Sequence, residues 1–277
     1  MAVIVGVHGI GKYNYYLQAG RSAAGAAEVM RRKWDRYLHA ALGGEARAYF
    51  AEIAYFSHLL HDGEDDDGPG TGRTKASAAL ERQAQEVLIG WARNLGVGEH
   101  VTGALKSFTG WLLNRLDTRS AAFAKLFAPE VAAYLTDQAR REKSRQAVAE
   151  VIRRHRPQVV IAHSLGSVVA YEALWANPDL QVDLLITLGS PLGMRNVVFE
   201  RLLPAPVNGR GERPRGVGRW VNIADKDDIA AIPPALAASF TGVDVEELVN
   251  IDWIDFHTVE KYLGCPALDP HLRPFLA

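Results

Sequence analysis

The chain has one cysteine, Cys265, in 277 residues. A single thiol excludes an internal disulfide framework and a cysteine-rich zinc site, and it fits a reducing compartment. An excess of one charge is also missing: 31 Lys and Arg stand against 32 Asp and Glu, a formal net charge of −1. That balance removes any overall electrostatic case for nucleic acid or an anionic membrane as partner. No apolar run approaches the ~20 residues that a membrane-spanning helix needs. Residues 1–7 carry no basic leader and no cleavage site of small residues, so no secretory signal is expected. Together these absences predict a cytoplasmic protein without a membrane span. What is present is a hydrophobic fraction of 48%. That fraction suffices for one domain over residues 1–277 with a large buried core.

Short β-rich runs alternate with longer helical patterns, which predicts an α/β fold with a mainly parallel central sheet flanked by helices. Strands are expected at residues 3–7, 46–56, 159–162, 184–188, 220–223 and 249–253. The third of these is wholly apolar, as a central parallel strand should be. A helix is expected over residues 23–42, stopped by Gly43-Gly44. Residues 60–125 hold no convincing strand. They open with His61-Asp62-Gly63-Glu64-Asp65-Asp66-Asp67-Gly68. A calcium loop of the EF-hand kind needs glycine at its sixth position and glutamate at its twelfth. Here those positions, counted from Asp62, are Asp67 and Arg73, so a solvated loop is the expectation. Two helical faces follow: Leu80, Ala84, Val87, Leu88 and Trp91, then Leu105, Phe108, Leu112 and Leu116 with Trp111 alongside. They are read either as helices packed on the core or as a helical cap over a site.

The stretch with most chemical content is Gln158-Val159-Val160-Ile161-Ala162-His163-Ser164-Leu165-Gly166-Ser167-Val168-Val169. A β-branched strand runs into a sharp turn holding serine, and a helix begins at once. Such a turn projects a serine hydroxyl above the sheet, provided that small residues stand two before and two after it. Ala162 and Gly166 meet that need, although Ala162 replaces the commoner glycine. The helix N-terminus beneath Ser164 offers free N–H groups where negative charge develops. A second feature, His8-Gly9-Ile10-Gly11, ends the first strand. Its glycines leave the Ile10 amide free to turn, and His8 reads as a residue that orients this loop.

Val7-His8-Gly9-Ile10-Gly11, Ala162-His163-Ser164-Leu165-Gly166 and Leu188-Gly189-Ser190-Pro191-Leu192 together resemble the α/β-hydrolase superfamily, closest to its lipases and esterases. The resemblance leaves residues 60–125, the expected helical cap insertion, uncovered. It implies Ser164 as nucleophile, the amides of Ile10 and Leu165 as an oxyanion hole, and the chain order serine, acid, histidine. Past Ser164 two histidines remain. His257 follows Ile251-Asp252-Trp253-Ile254-Asp255-Phe256 and precedes an expected helix over residues 258–263, where the family places its base. His271 lies in a proline-flanked tail, a poor platform for a precisely held group. For the acid, the segment after the fifth strand offers Asp225, Asp227 and Asp228. Asp228-Ile229-Ala230-Ala231-Ile232-Pro233-Pro234 is similar to the loop after the acid in filamentous-fungal-type lipases, so Asp228 is the first choice and Asp225 the second.

The expectation is a serine hydrolase that cleaves a carboxylic ester through an acyl-enzyme, without cofactor or metal. Its partner is a small-molecule acyl substrate, with an apolar chain if the aromatic residues before Ser164 line the site. A thioesterase, an amidase and an acyltransferase use the same machinery, and a non-catalytic module on the same scaffold is a rival. A second rival is nucleotide binding through Gly6-Val7-His8-Gly9-Ile10-Gly11-Lys12-Tyr13. Tyr13 stands where a phosphate loop needs a Ser or Thr hydroxyl for magnesium, and Asn14-Tyr15-Tyr16 is a poor helix start. Asp225, Asp227, Asp228 and His257 have no His-x-x-x-His or Glu-x-x-His spacing to support a metal centre.

Overall fold

The computed structural model describes residues 2–42, 49–61, 75–95, 118–251 and 257–276. In chain order it contains β1 (Ala2–Val7), α1 (Tyr13–Gln18), α2 (Ala23–Ala41), β2 (Tyr49–Ala54), α3 (Ser57–Leu60) and α4 (Lys75–Asn94). Next come α5 (Thr118–Thr136), α6 (Gln138–His155), β3 (Val159–His163), α7 (Leu165–Ala176) and β4 (Val182–Leu188). The chain continues through β5 (Gly211–Glu212), β6 (Val217–Asp225), β7 (Phe240–Thr241), β8 (Val245–Val249), α8 (Val259–Leu263) and α9 (Asp269–Leu272).

Six strands form one sheet in the order β2-β1-β3-β4-β6-β8, with every neighbouring pair parallel. The period-two alternation of strand side chains divides the core. Ile4, Ile53, Ile161, Ile186 and Val221 point to one face, where Met30, Trp34 and Leu38 of α2 and Leu263 of α8 cover them. Val5, Val7, Val160, Ala162 and Leu185 point to the other, beneath α4, α5, α6 and α7. All five residues of β3 are buried, since helices cover both faces. Among the described residues no helix is long and apolar enough to cross a membrane.

Local chemistry accounts for the element ends. Ser22 caps α2 by accepting the Gly25 amide at 3.0 Å, and Ala26, Met30, Trp34 and Leu38 repeat every fourth residue on its buried stripe. Asp137 caps α6 through the amides of Ala139 and Arg140. Arg156 ends α6 in the left-handed region, with φ 44°, and Pro157 bars its continuation.

Two expectations are corrected. The sixth strand is Val245–Val249, so it ends where the sequence reading began it, and residues 252–253 of the expected range lie outside the described residues. As an edge strand paired only with β6, it tolerates Glu246 and Glu247, which erase the apolar run that marks an interior strand. A helix also starts at Tyr13, although Lys12 gives it no side-chain cap. Aromatic stacking supplies what local propensity lacks: Tyr16 lies on His58 at 5.0 Å and Tyr13 on His61 at 4.3 Å.

In the insertion, Val87, Leu88 and Trp91 of α4 are buried in the same core as β1 and β3. The Trp91 indole N–H donates to the Ile229 carbonyl at 2.6 Å, tying α4 to the loop after β6. This half of the insertion is therefore core-packed. The second expected face, Leu105 to Leu116, and the acidic run 62–68 lie outside the described residues.

Candidate active site

Ser164, Asp228 and His257 each stand in a loop that follows a parallel strand, where open α/β sheets form their crevices. Ser164 occupies the one-residue turn between β3 and α7, with φ 55° and ψ −133°. A side chain rarely adopts this conformation, and the surrounding structure must enforce it. Its amide donates to the Leu188 carbonyl on β4 at 3.0 Å. Small residues make the turn possible: a Cβ on Gly166 would meet the His8 carbonyl oxygen at 2.3 Å, and one on Gly9 would meet the Ser164 Cβ at 2.6 Å. The two predicted stretches, 8–11 and 162–166, are thus in direct contact.

Across the crevice, His257 precedes α8. Its Nε2 lies 2.8 Å from the Ser164 Oγ, and its Nδ1 lies 2.7 Å from Asp228 Oδ2 and 3.0 Å from Oδ1. With Nδ1–H donated to the carboxylate, Nε2 carries the lone pair that accepts the serine proton. Ser164 has no exposed surface and His257 has 9%. Of the two, His257 lines the adjoining cleft.

The three aspartates separate by their partners. Asp228 is buried and takes His257, the Ala230 amide at 2.8 Å and the Tyr262 hydroxyl at 2.7 Å. Asp225 is buried with a different task, accepting the amides of Asp227 and Ile251 at 2.8 and 2.5 Å. Asp227 is exposed. His271 packs at the far end of the tail, 3.3 Å from Glu247.

Tyr262 was not singled out by the sequence, yet it is fully buried here. Its hydroxyl accepts the Asp225 amide at 2.9 Å and donates to Asp228. Burial, and the Asp228 charge after it, hold its pKa well above the tyrosine range. Gly189, with φ 53°, leaves the space this pair occupies, because a Cβ there would lie 2.8 Å from Asp228 Oδ2. Ser190 bonds Ser167 of α7 at 2.7 Å and so joins the end of β4 to the turn.

Among the described residues the amides of Ile10 and Leu165 donate to no protein acceptor. Both flank Ser164, the first through Gly9 and the second as the first residue of α7. The loop carrying Ile10 is fixed on two sides. The Gly11 amide donates to both oxygens of buried Glu130, at 3.0 and 3.1 Å. His8 donates from Nδ1 to the Gly9 carbonyl at 2.7 Å and accepts the Phe56 amide on Nε2 at 3.1 Å. Burial lowers the His8 pKa to about 3, so it is a neutral strut at ordinary pH.

A cleft of about 330 Å³ opens beside His257. Ile10, Lys12 and Lys33 line one part of it; Phe123, Leu126 and Met30 give it apolar walls. Phe123 of α5 meets the His257 ring edge-on at 4.8 Å, so the insertion that packs the core also walls this cleft.

Gly6, the first glycine of the phosphate-loop-like string, lies inside β1, where a Cβ would meet the Trp34 ring at 2.6 Å. It is a packing glycine and not part of a phosphate-cradling loop. Among the described residues no group of three or more His, Cys, Asp or Glu is placed to hold a metal ion. No protein family matches the chain, and no curated protein or solved structure does.

Proposed function

We propose that the protein is a serine hydrolase of the α/β-hydrolase kind, cleaving a carboxylic ester through an acyl-enzyme. One observation carries the reading: the unbroken series from Ser164 Oγ through both nitrogens of His257 to Asp228, at 2.8 and 2.7 Å. A serine hydroxyl is inert at neutral pH, and an imidazole held by a carboxylate is the group that activates it.

In this mechanism Ser164 attacks the ester carbonyl while His257 Nε2 takes its proton. Asp228 keeps Nδ1 protonated and stabilises the imidazolium, without accepting the proton. The amides of Ile10 and Leu165 receive the oxyanion. His257 then protonates the leaving alkoxide. Water enters, gives a proton to the same nitrogen and attacks the acyl carbon; collapse breaks the bond to Ser164 Oγ, which takes that proton back as the acid leaves. Oriented amides of this kind contribute about 3–4 kcal/mol each to the transition state. The apolar walls at Phe123, Leu126 and Met30 fit a hydrophobic segment of the acyl group.

Hydrolysis of p-nitrophenyl esters of increasing chain length tests the proposal. Wild-type protein is expected to release nitrophenol, and Ser164→Ala to lose about 10⁴-fold or more in kcat. Equal rates for the two proteins would overturn it.

A further inference from the structure

The described part of the cleft holds more positive charge than ester cleavage requires. Lys12 lies two residues beyond Ile10 and is half-buried. Among the described residues no carboxylate lies within 4.0 Å of its ammonium. Glu130, the nearest acid by charge effect, is engaged by the Gly11 amide and His61. Burial pulls the Lys12 pKa down, and the neighbouring Lys33 charge adds to that. Lys33 faces the same cleft, with its ammonium 2.7 Å from the Tyr15 hydroxyl and 4.7 Å above that ring. Against two lysines the described part of the lining has one acid, Glu260, which interacts with Tyr37.

Among the described residues the His163 ring nitrogens and the Trp34 indole N–H find no partner, but these atoms have almost no accessible surface and do not face the cleft. The half-buried ammonium without a counter-ion is the group that calls for an anion there.

Building on the serine-hydrolase reading, we infer that this cleft selects acyl substrates bearing an anionic group, a carboxylate or a phosphate, that seats against Lys12 and Lys33. The ester carbonyl then lies at Ile10 and His257, and the acyl chain bridges the two ends along Phe123 and Met30. An anion in that seat offsets the desolvation of Lys12.

Three esters of equal chain length test this: p-nitrophenyl hexanoate, mono-p-nitrophenyl adipate and p-nitrophenyl 6-phosphonohexanoate. The expected result is a higher kcat/KM for at least one anionic ester than for the hexanoate. The favoured anionic ester identifies carboxylate or phosphate as the preferred group. In Lys12→Gln the anionic-to-neutral ratio should fall tenfold or more, chiefly through KM, and added salt should raise KM for the anionic esters alone. A wild-type preference for hexanoate over both anionic esters, or a ratio unchanged in Lys12→Gln, overturns the inference while leaving the hydrolase reading intact. If no ester turns over, the hydrolase reading fails by itself. Calorimetric binding of adipate and of inorganic phosphate then decides the anion site. Binding at least tenfold weaker in Lys12→Gln supports it, and absent or equal binding rejects it.

Discussion

At the scale of single residues, Ser164 is the position where the chain stores strain. Its φ of 55° with ψ −133° belongs to glycine territory, at a cost of about 1–3 kcal/mol for a residue with a Cβ. Ser164→Ala and Ser164→Gly both remove the hydroxyl, but only glycine relaxes the backbone. Despite the greater chain entropy of unfolded glycine, the Gly variant should be more stable than the Ala variant by about 1 kcal/mol in denaturant melts. An Ala variant of equal or higher stability would mean that the turn is unstrained. The aspartates make a second residue-scale contrast. Asp228→Asn should cost about 10⁴-fold in kcat by permitting the wrong imidazole tautomer. Asp225→Asn should act mainly on stability, because its partners are the Ile251 and Asp227 amides; a larger kcat loss from Asp225→Asn would reverse the two assignments. The contact of Ser164, Asp228 and His257 was anticipated from the strand–turn–helix pattern around Ser164 and, for the other two, from what the resemblance implies. Tyr262 and Glu130 were not, since each acts on a partner 34 or 119 residues away, and a single sequence carries no mark of such pairs.

At the scale of elements, the buried ion pair between α6 and α7 holds the helical layer together. Arg141 donates to both oxygens of Glu172, which also accepts the Tyr134 hydroxyl at 2.8 Å and the Leu203 amide at 3.0 Å. Glu172 is fully buried. Removing it leaves a guanidinium without its counter-ion and a phenol and an amide unanswered, so Glu172→Ala should destabilise by about 3–5 kcal/mol, measured by urea unfolding. A loss below about 1 kcal/mol would mean that water replaces the carboxylate. The interior strands were legible at this scale because helices on both faces demand continuous β-branched runs, as in β3. The edge strand β8 escaped for the opposite reason, since half-exposed glutamates break its pattern. Helix α1 escaped because stacking on α3, and not its own sequence, holds it.

At the scale of the whole molecule, the two-sided sheet brings residues 8–11, 162–166, 228 and 257 to one edge. It also buries the histidines around the turn. His8 has its pKa lowered to about 3, and His163 is likewise held well below the usual value, both through burial. The unfolded chain therefore binds more protons than the native one between about pH 6.5 and pH 3, so stability falls as pH drops through that window. Each histidine adds at most about 1.4 kcal/mol per pH unit. His8→Gln should flatten the slope of unfolding free energy against pH, and an unchanged slope would mean that His8 is not held neutral.

The most direct measurement is labelling with a fluorophosphonate, followed by peptide mapping. Such a probe phosphonylates a serine only where an imidazole activates it and amides receive the oxygen. The wild-type protein should acquire one adduct, on Ser164, and His257→Ala should label at least about 10³-fold more slowly. A folded wild-type protein that stays unlabelled, or that labels as fast without His257, would contradict the mechanism.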